Sequence, residues 1–463
     1  MDFSAQNTSL WNFIIQMGII SGSILFSNIL RQKVRWVRST LMPTAVIAGF
    51  LLLFLRGSGL LDIDLPTLEM VTYHGIALGF IAMSLKIEPK SADSYRRNLD
   101  MPKTGALIVS SYLVQGILGL LISLGLAYTV MPDMFKAAGI LLPMGYGQGP
   151  GQANNIGSMY ESFGFVGGRS FGLSIAAAGY LSACVVGIAY IRYLSAKGKI
   201  RPVEHEELSG SVTVEIFQEN NEIPISESID RFSVQIALVF LVYLLTYLVT
   251  RGITGLVDTY APGLSATISN LLWGFNFILG SVIALLVKSV LGIWRRRGIM
   301  SRQYQNGYLL SRISSMAFDI MIVAGIASIN MEDLTGLWLP FLLMSISAAL
   351  VTLVFLIWMS RKIYPQYEHE GMLGMYGMMT GTISSGILLL REVDPEFKTP
   401  SAGNLVGGSS FAIIFGAPML ILIGLAPKSA AMTFIVLGLL VIYLILLLAF
   451  MLFAGKPKPS EEV

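Results

Sequence analysis

Two short stretches carry the polar chemistry of an otherwise apolar chain. The first, Met144 to Asn155, reads MGYGQGPGQANN: Gly145, Gly147, Gly149 and Gly151 alternate with polar residues or proline, and Gln148, Gln152, Asn154 and Asn155 carry amides that both donate and accept hydrogen bonds. The second sets the hydroxyls of Thr380, Thr382, Ser384 and Ser385 beside Gly381 and Gly386. Glycine and proline at this density disfavour a continuous helix or strand, so interrupted backbone is expected. In hydrocarbon an unpaired backbone group costs several kcal/mol, and such a segment survives only buried in protein or lining a wet cavity. Where a helix restarts after the break, its free amides and positive dipole end favour a carboxylate; unwound carbonyls and hydroxyls suit a hard cation. The expected chemistry is the joint binding of a small anion and sodium. The competing reading is that these small residues only permit close helix packing.

Composition places these stretches in a membrane. With 463 residues, 54% hydrophobic and 13% charged, the chain has too much apolar surface for a soluble domain. The 31 basic and 28 acidic residues nearly balance, which points to no nucleic-acid partner. Cys184 is the only cysteine, so an intramolecular disulfide and a cysteine metal cluster are excluded.

The charges set the topology. Asn12 to Leu30 is a first span with no basic residue before it, unlike a secretory signal, and Arg31, Lys33, Arg35 and Arg38 follow it. The positive-inside rule puts that loop in the cytoplasm and the N-terminus outside. Leu41 to Leu55, Met70 to Leu85, Thr104 to Met131 and Ser170 to Ile191 are the next spans. A re-entrant segment over 135–165 keeps the basic group Arg192, Lys197, Lys199 and Arg201 inside with the others. The acidic stretch 195–231 is a cytoplasmic linker, which makes 1–194 a first repeat. Beyond it, Phe232 to Val249, Ala266 to Ile293, Leu309 to Ile329 and Leu337 to Met359 are spans, followed by a second re-entrant segment over 371–391. An extra span over 429–455 ends in the cytoplasm.

Residue matches join the two parts. Tyr146-Gly147 matches Tyr376-Gly377, and Gly151 matches Gly381, at one offset. Val166-Gly167-Gly168 with Ser170-Phe171 matches Val406-Gly407-Gly408 with Ser410-Phe411, and Ser84 to Glu88 resembles Ser328 to Glu332. Matches in one order mark a repeat. Five spans per repeat is odd, so 232–425 is inserted from the opposite face. The expected fold is an all-α polytopic membrane protein of two inverted repeats of five transmembrane helices, each with a re-entrant hairpin, plus an extra C-terminal helix.

This layout, together with TLMPTAVIAGFL (Thr40 to Leu51), GYGQGPGQANNIG and GMMTGTISSG, resembles the sodium:glutamate symporter family. The resemblance implies a secondary transporter of the inner membrane that imports glutamate with sodium by alternating access. It puts the binding site on Gly147 to Asn155 and Gly377 to Ser385, which includes Gly147, Gln148, Gly149, Gly151, Gln152, Asn154, Asn155, Thr380, Gly381, Thr382, Ser384 and Ser385. The partners expected are a small carboxylate, the lipid bilayer and a second copy of the chain as a homodimer.

Asp319 sits near the middle of the Leu309 to Ile329 span, where a charge is costly, and is expected to face the bundle interior. With Ser384 and Ser385 it is a candidate sodium ligand; as a proton carrier, a partner for a substrate amine or a packing residue it would serve differently. Glu161 and Arg391, at the ends of the two segments, read as solvated hairpin ends, and His74 as a packing residue. Three histidines without a zinc motif leave a zinc enzyme unsupported. An intramembrane hydrolase using Ser385 lacks a nucleophile elbow and leaves the first segment unexplained. A channel would repeat its broken segments in register around a pore, whereas an inverted pair suits alternating access. A di- or hydroxycarboxylate, with sodium or protons, is the alternative substrate.

Overall fold

The computed structural model describes residues 8–86, 99–200, 225–260, 262, 268–269, 272–274, 276–300, 304–394 and 398–454. Most of the linker 195–231 and the basic residues Lys90, Arg96, Arg97, Lys456 and Lys458 lie outside them. Among the described residues there are helices and connecting turns and no strand. In chain order the described helices of nine residues or more are α1 (Thr8–Lys33), α2 (Thr44–Gly57), α3 (Leu65–Leu85), α4 (Asp100–Ala127), α5 (Pro150–Glu161), α6 (Gly168–Ala196), α7 (Ile225–Tyr260), α8 (Asn276–Arg296), α9 (Gly307–Ala327), α10 (Trp338–Ile363), α11 (Glu368–Met379), α12 (Ile383–Arg391), α13 (Ser401–Leu425) and α14 (Ala430–Phe453). Among the described residues ten stretches, in α1, α3, α4, α6 to α10, α13 and α14, are long and apolar enough to cross a membrane. The chain is therefore an all-α, multi-pass membrane protein. The 14 residues of α2 reach only about 21 Å at the helical rise, short of the roughly 30 Å of hydrocarbon.

Helix ends follow local chemistry. Asp64 caps α3 by accepting from the Thr67 amide at 2.9 Å, with Pro66 in the first turn, and Asn306 caps α9 through the Leu309 amide at 2.9 Å. Arg295 and Arg296 close α8, and Arg361 and Lys362 close α10, where cations complement the helix dipole.

The chain forms two compact units. The first comprises Met1–Ser23, Gly49–Ser91 and Glu204–Ser328; the second comprises Ile24–Ala48, Ala92–Val203 and Ile329–Val463. Each draws on both sides of the linker, because long helices find their packing partners far along the chain. In the first unit α3 lies against α9 where glycine lets the backbones close in. A Cβ added at Gly75 would lie 2.9 Å from Met321 Cβ, and one at Gly79 would overlap the Phe318 ring. The Ser314 hydroxyl donates to the Gly79 carbonyl at 2.9 Å across the same contact. Ile81, Leu85, Val239, Val242, Ala284 and Leu310 complete its core.

The second unit is built around α4. Gly105 on α4 lets α13 approach, and a Cβ there would lie 2.9 Å from the Gly408 carbonyl. Gly119 on α4 faces Gly139, in a 3-10 turn over Lys136–Ile140, backbone against backbone. Such contacts replace the hydrophobic drive that lipid removes between membrane helices.

Overpacking a tight contact typically costs 1–3 kcal/mol. Gly79→Ala is expected to lower the melting temperature in detergent, whereas Gly18→Ala, on α1 with nothing within 4 Å, should leave it unchanged. Thermal unfolding of the purified variants checks this.

Candidate functional site

Both glycine-rich segments are broken, and both breaks lie in the second unit. The first begins with the 3-10 turn Lys136–Ile140 and continues as a π-helical turn, Pro143–Gly147, before α5 starts at Pro150. Two hydrogen bonds wind that turn down: the Gln148 amide donates to the Pro143 carbonyl at 3.1 Å and the Gly149 amide to the Gly145 carbonyl at 3.0 Å. Pro150 then has no N–H to continue the series, so the Tyr146 carbonyl receives no amide four residues on. Gly149 turns the chain at φ 90° and ψ −176°, a conformation open to glycine and strained for other residues.

The second break separates α11 from α12. The Thr380 hydroxyl donates to the Tyr376 carbonyl at 2.8 Å, closing α11, and Thr382 is extended at the N-cap of α12 without a side-chain cap. Gly377 and Gly386 let these two helices pair closely: a Cβ at Gly377 would lie 2.6 Å from the Ser385 carbonyl, and one at Gly386 would lie 2.5 Å from the Gly374 carbonyl.

Tertiary packing brings the breaks together. A Cβ built on Gly149, the N-cap of α5, would be 3.7 Å from Thr382 Cγ2, the N-cap of α12, and 3.7 Å from the Tyr180 hydroxyl. Two helix N-termini without side-chain caps therefore meet at Gly149 and Thr382. Helix α6 forms one wall. Its Gly179 admits the Thr380 carbonyl, where any side chain would collide, and its Tyr180 ring lies against Gly381. From α4, Gln115 Nε2 donates to the Met379 carbonyl at 2.9 Å and to Thr352 Oγ1 on α10 at 3.1 Å. The repeated tyrosines anchor on α10 as well: the Tyr146 hydroxyl donates to the Ser345 carbonyl at 2.9 Å and the Tyr376 hydroxyl to the Ala349 carbonyl at 3.3 Å.

The candidate residues fall into distinct places. Gly147, Gly149, Gly381 and Thr382 are at the breaks themselves, with Gln148 half-buried at the end of the π turn and Gly151 in the first turn of α5. Thr380 spends its hydroxyl on its own helix. Gln152, Asn154 and Asn155 are buried within α5, 2%, 4% and 3% exposed. Gln152 Oε1, Asn154 Oδ1, Thr382 Oγ1 and Ser385 Oγ are buried atoms without a hydrogen-bond partner. Such atoms in an apolar interior are costly unless something fills the missing bond. The Ser384 side chain lies outside the described residues. Asp319 lies on α9 in the first unit, off the packed face that carries Ala317 and Met321. That face is committed to apolar contact with α3, which leaves a carboxylate no room there.

Charge is confined to the ends of the segments. Glu161, at the end of α5, accepts from the Arg169 backbone amide at 3.0 Å and pairs with its guanidinium at 3.3 Å. Burial pushes its carboxyl up from the ordinary value, the Arg169 amide opposes this, and Asp333 adds to it. His74, exposed on α3, has Nδ1 2.6 Å from the Tyr243 hydroxyl. Among the described residues no three His, Cys, Asp or Glu gather as a metal site. The breaks offer neutral oxygens and free amides.

Sequence reading missed Gln115 and Tyr180. Gln115 had a signal, as the only amide side chain in the apolar run Thr104 to Met131. Tyr180 had none, since a tyrosine in an apolar helix reads as packing. Neither a protein-family profile nor a curated protein matches this chain in sequence.

Alanine at Gly149 must take up a backbone region that costs of order 1–3 kcal/mol. Gly149→Ala is expected to lower thermal stability or release the break, while Gly116→Ala, whose Cβ would meet only ordinary contacts at 3.6 Å, should behave as wild type. Differential scanning of both variants reads the difference.

Proposed function

We propose that this protein is a secondary transporter that imports a small carboxylate, glutamate by its resemblance to the sodium:glutamate symporters, coupled to sodium. One observation carries the reading: the N-termini of α5 and α12, both without side-chain caps, meet where Thr382 Oγ1 and Ser385 Oγ are buried and unpartnered. Free helix amides and hydroxyl donors suit a carboxylate. The unpartnered oxygens of Gln152 and Asn154 suit the ammonium of an amino acid, which favours glutamate over a hydroxycarboxylate. Carbonyls released at the breaks are the natural partners of sodium.

In this reading 135–165 and 371–391 are re-entrant hairpins of two inverted repeats, and substrate access alternates around their tips. Glutamate carries net charge −1, so two sodium ions per substrate would move one charge, worth ~2.3 kcal/mol per 100 mV and about 50-fold in gradient. The protein is assigned to an inner membrane with its N-terminus outside, and a homodimer is the assembly to test.

Uptake of labelled glutamate, aspartate and citrate into proteoliposomes, with and without a sodium gradient, tests the function. Sodium-dependent glutamate uptake is expected; citrate uptake without glutamate uptake selects the alternative substrate. A lost hydrogen bond to a charged group costs about 1.5–3 kcal/mol, so Ser385→Ala and Asn154→Ala should each weaken glutamate binding roughly tenfold to 150-fold. Wild-type constants in both variants would remove these side chains from the site.

Topology has its own test. In a Cys184→Ala background, Val166→Cys, at a position 86% exposed, should be labelled from outside and Lys398→Cys, at an exposed position, from inside. Labelling of both from one side would end the paired-hairpin reading.

A further inference from the structure

Gln115 is fully buried on α4, yet half of its amide is unused. Both hydrogens of Nε2 are engaged, on the Met379 carbonyl and on Thr352 Oγ1. A carbonyl can only accept, so the side chain cannot turn over without setting oxygen against oxygen; the orientation of the amide follows from its partners. That orientation leaves Oε1 against the first break, 2.8 Å from where a Cβ on Gly147 would stand, with no hydrogen-bond partner. The same break leaves the Tyr146 carbonyl without the amide that Pro150 lacks. An acceptor without a donor thus sits beside a segment rich in acceptors. A bound cation is the chemical remedy. The neutral oxygens and the absence of a carboxylate cluster among the described residues suit a monovalent hard ion and not calcium, which recruits carboxylates.

We propose that Gln115 Oε1 is a sodium ligand at the first break, and that through Nε2 the same side chain ties the bound ion to Met379 at the end of α11. Occupancy at one break is thereby passed to the other by a single amide. The inference rests on the sodium-coupled reading.

The test is a sodium titration of the full-length protein in detergent, at constant ionic strength with choline, read by the rise in melting temperature that a ligand of the folded state produces. Wild type is expected to give a saturable rise with sodium and none with choline. Gln115→Met, similar in length and without either polar atom, should move the titration midpoint at least tenfold upward. If Gln115 only caps Met379, the variant will melt lower without sodium but titrate with the wild-type midpoint, and the proposal is overturned. Gln115→Asn, which keeps the amide but withdraws it by one methylene, serves if the methionine variant does not fold; an unmoved midpoint there also overturns the proposal. A wild type that binds glutamate but shows no sodium response would end the sodium reading itself. A sodium response retained in full by both variants would end only the assignment of Gln115.

Discussion

Stopping a helix among apolar side chains releases backbone groups that nothing there will hydrate, and the second unit is arranged around that constraint. At the first break the π turn takes up two of the released carbonyls, Pro143 and Gly145, and Pro150 removes an amide that would otherwise need a partner. At the second, Thr380 closes α11 with its own hydroxyl, and Gln115 reaches across from α4 to occupy the Met379 carbonyl. Near the place where the two N-caps meet, Thr382 Oγ1 and Ser385 Oγ are buried and have no hydrogen-bond partner. A protein that merely tolerated these breaks would have capped them; buried polar groups are nearly always paired, and the exceptions ask for a reason.

Glycine makes the arrangement reachable. The close approaches are backbone to backbone: Gly145 to Gly172, Gly119 to Gly139, and Gly377 to Ser385, with Gly179 admitting the Thr380 carbonyl. The contacts at Gly145, Gly119 and Gly179 bring broken segments against the long helices α6 and α4, and the one at Gly377 pairs the two arms of the second break. The tyrosines then fix the depth, since Tyr146 and Tyr376 both end on carbonyls of α10. A site composed of backbone dipoles needs this stiffness, because a dipole that can turn away stabilises no charge.

Charge is distributed by the same logic. Neither break contains an ionised side chain, and the Glu161–Arg169 pair closes the far end of the first segment. Asp319, the one acid in the middle of an apolar helix, belongs to the other unit and is exposed. Neutral donors and acceptors bind an ion with a smaller desolvation cost than a buried counter-charge carries, which suits a ligand that must also leave.

Reading the residues alone was enough for the membrane class, most of the long apolar helices and the two interruptions, because these depend on local quantities: apolar length and glycine and proline density; the expected span Leu41 to Leu55 is instead the short helix α2. The restart of the helix at Pro150 was legible for the same reason, since proline at a first turn is a local preference. Which groups meet was not legible. Gly149 and Thr382 are distant in the chain, as are Gln115 and Met379, and their contact follows from helix packing in which small residues choose partners by shape. The two compact units were hidden likewise, because each is assembled from pieces on both sides of the linker. For Asp319 a helical period tells which residues share a face but not which face turns inward; the α3 contact claims the face of Ala317 and Met321.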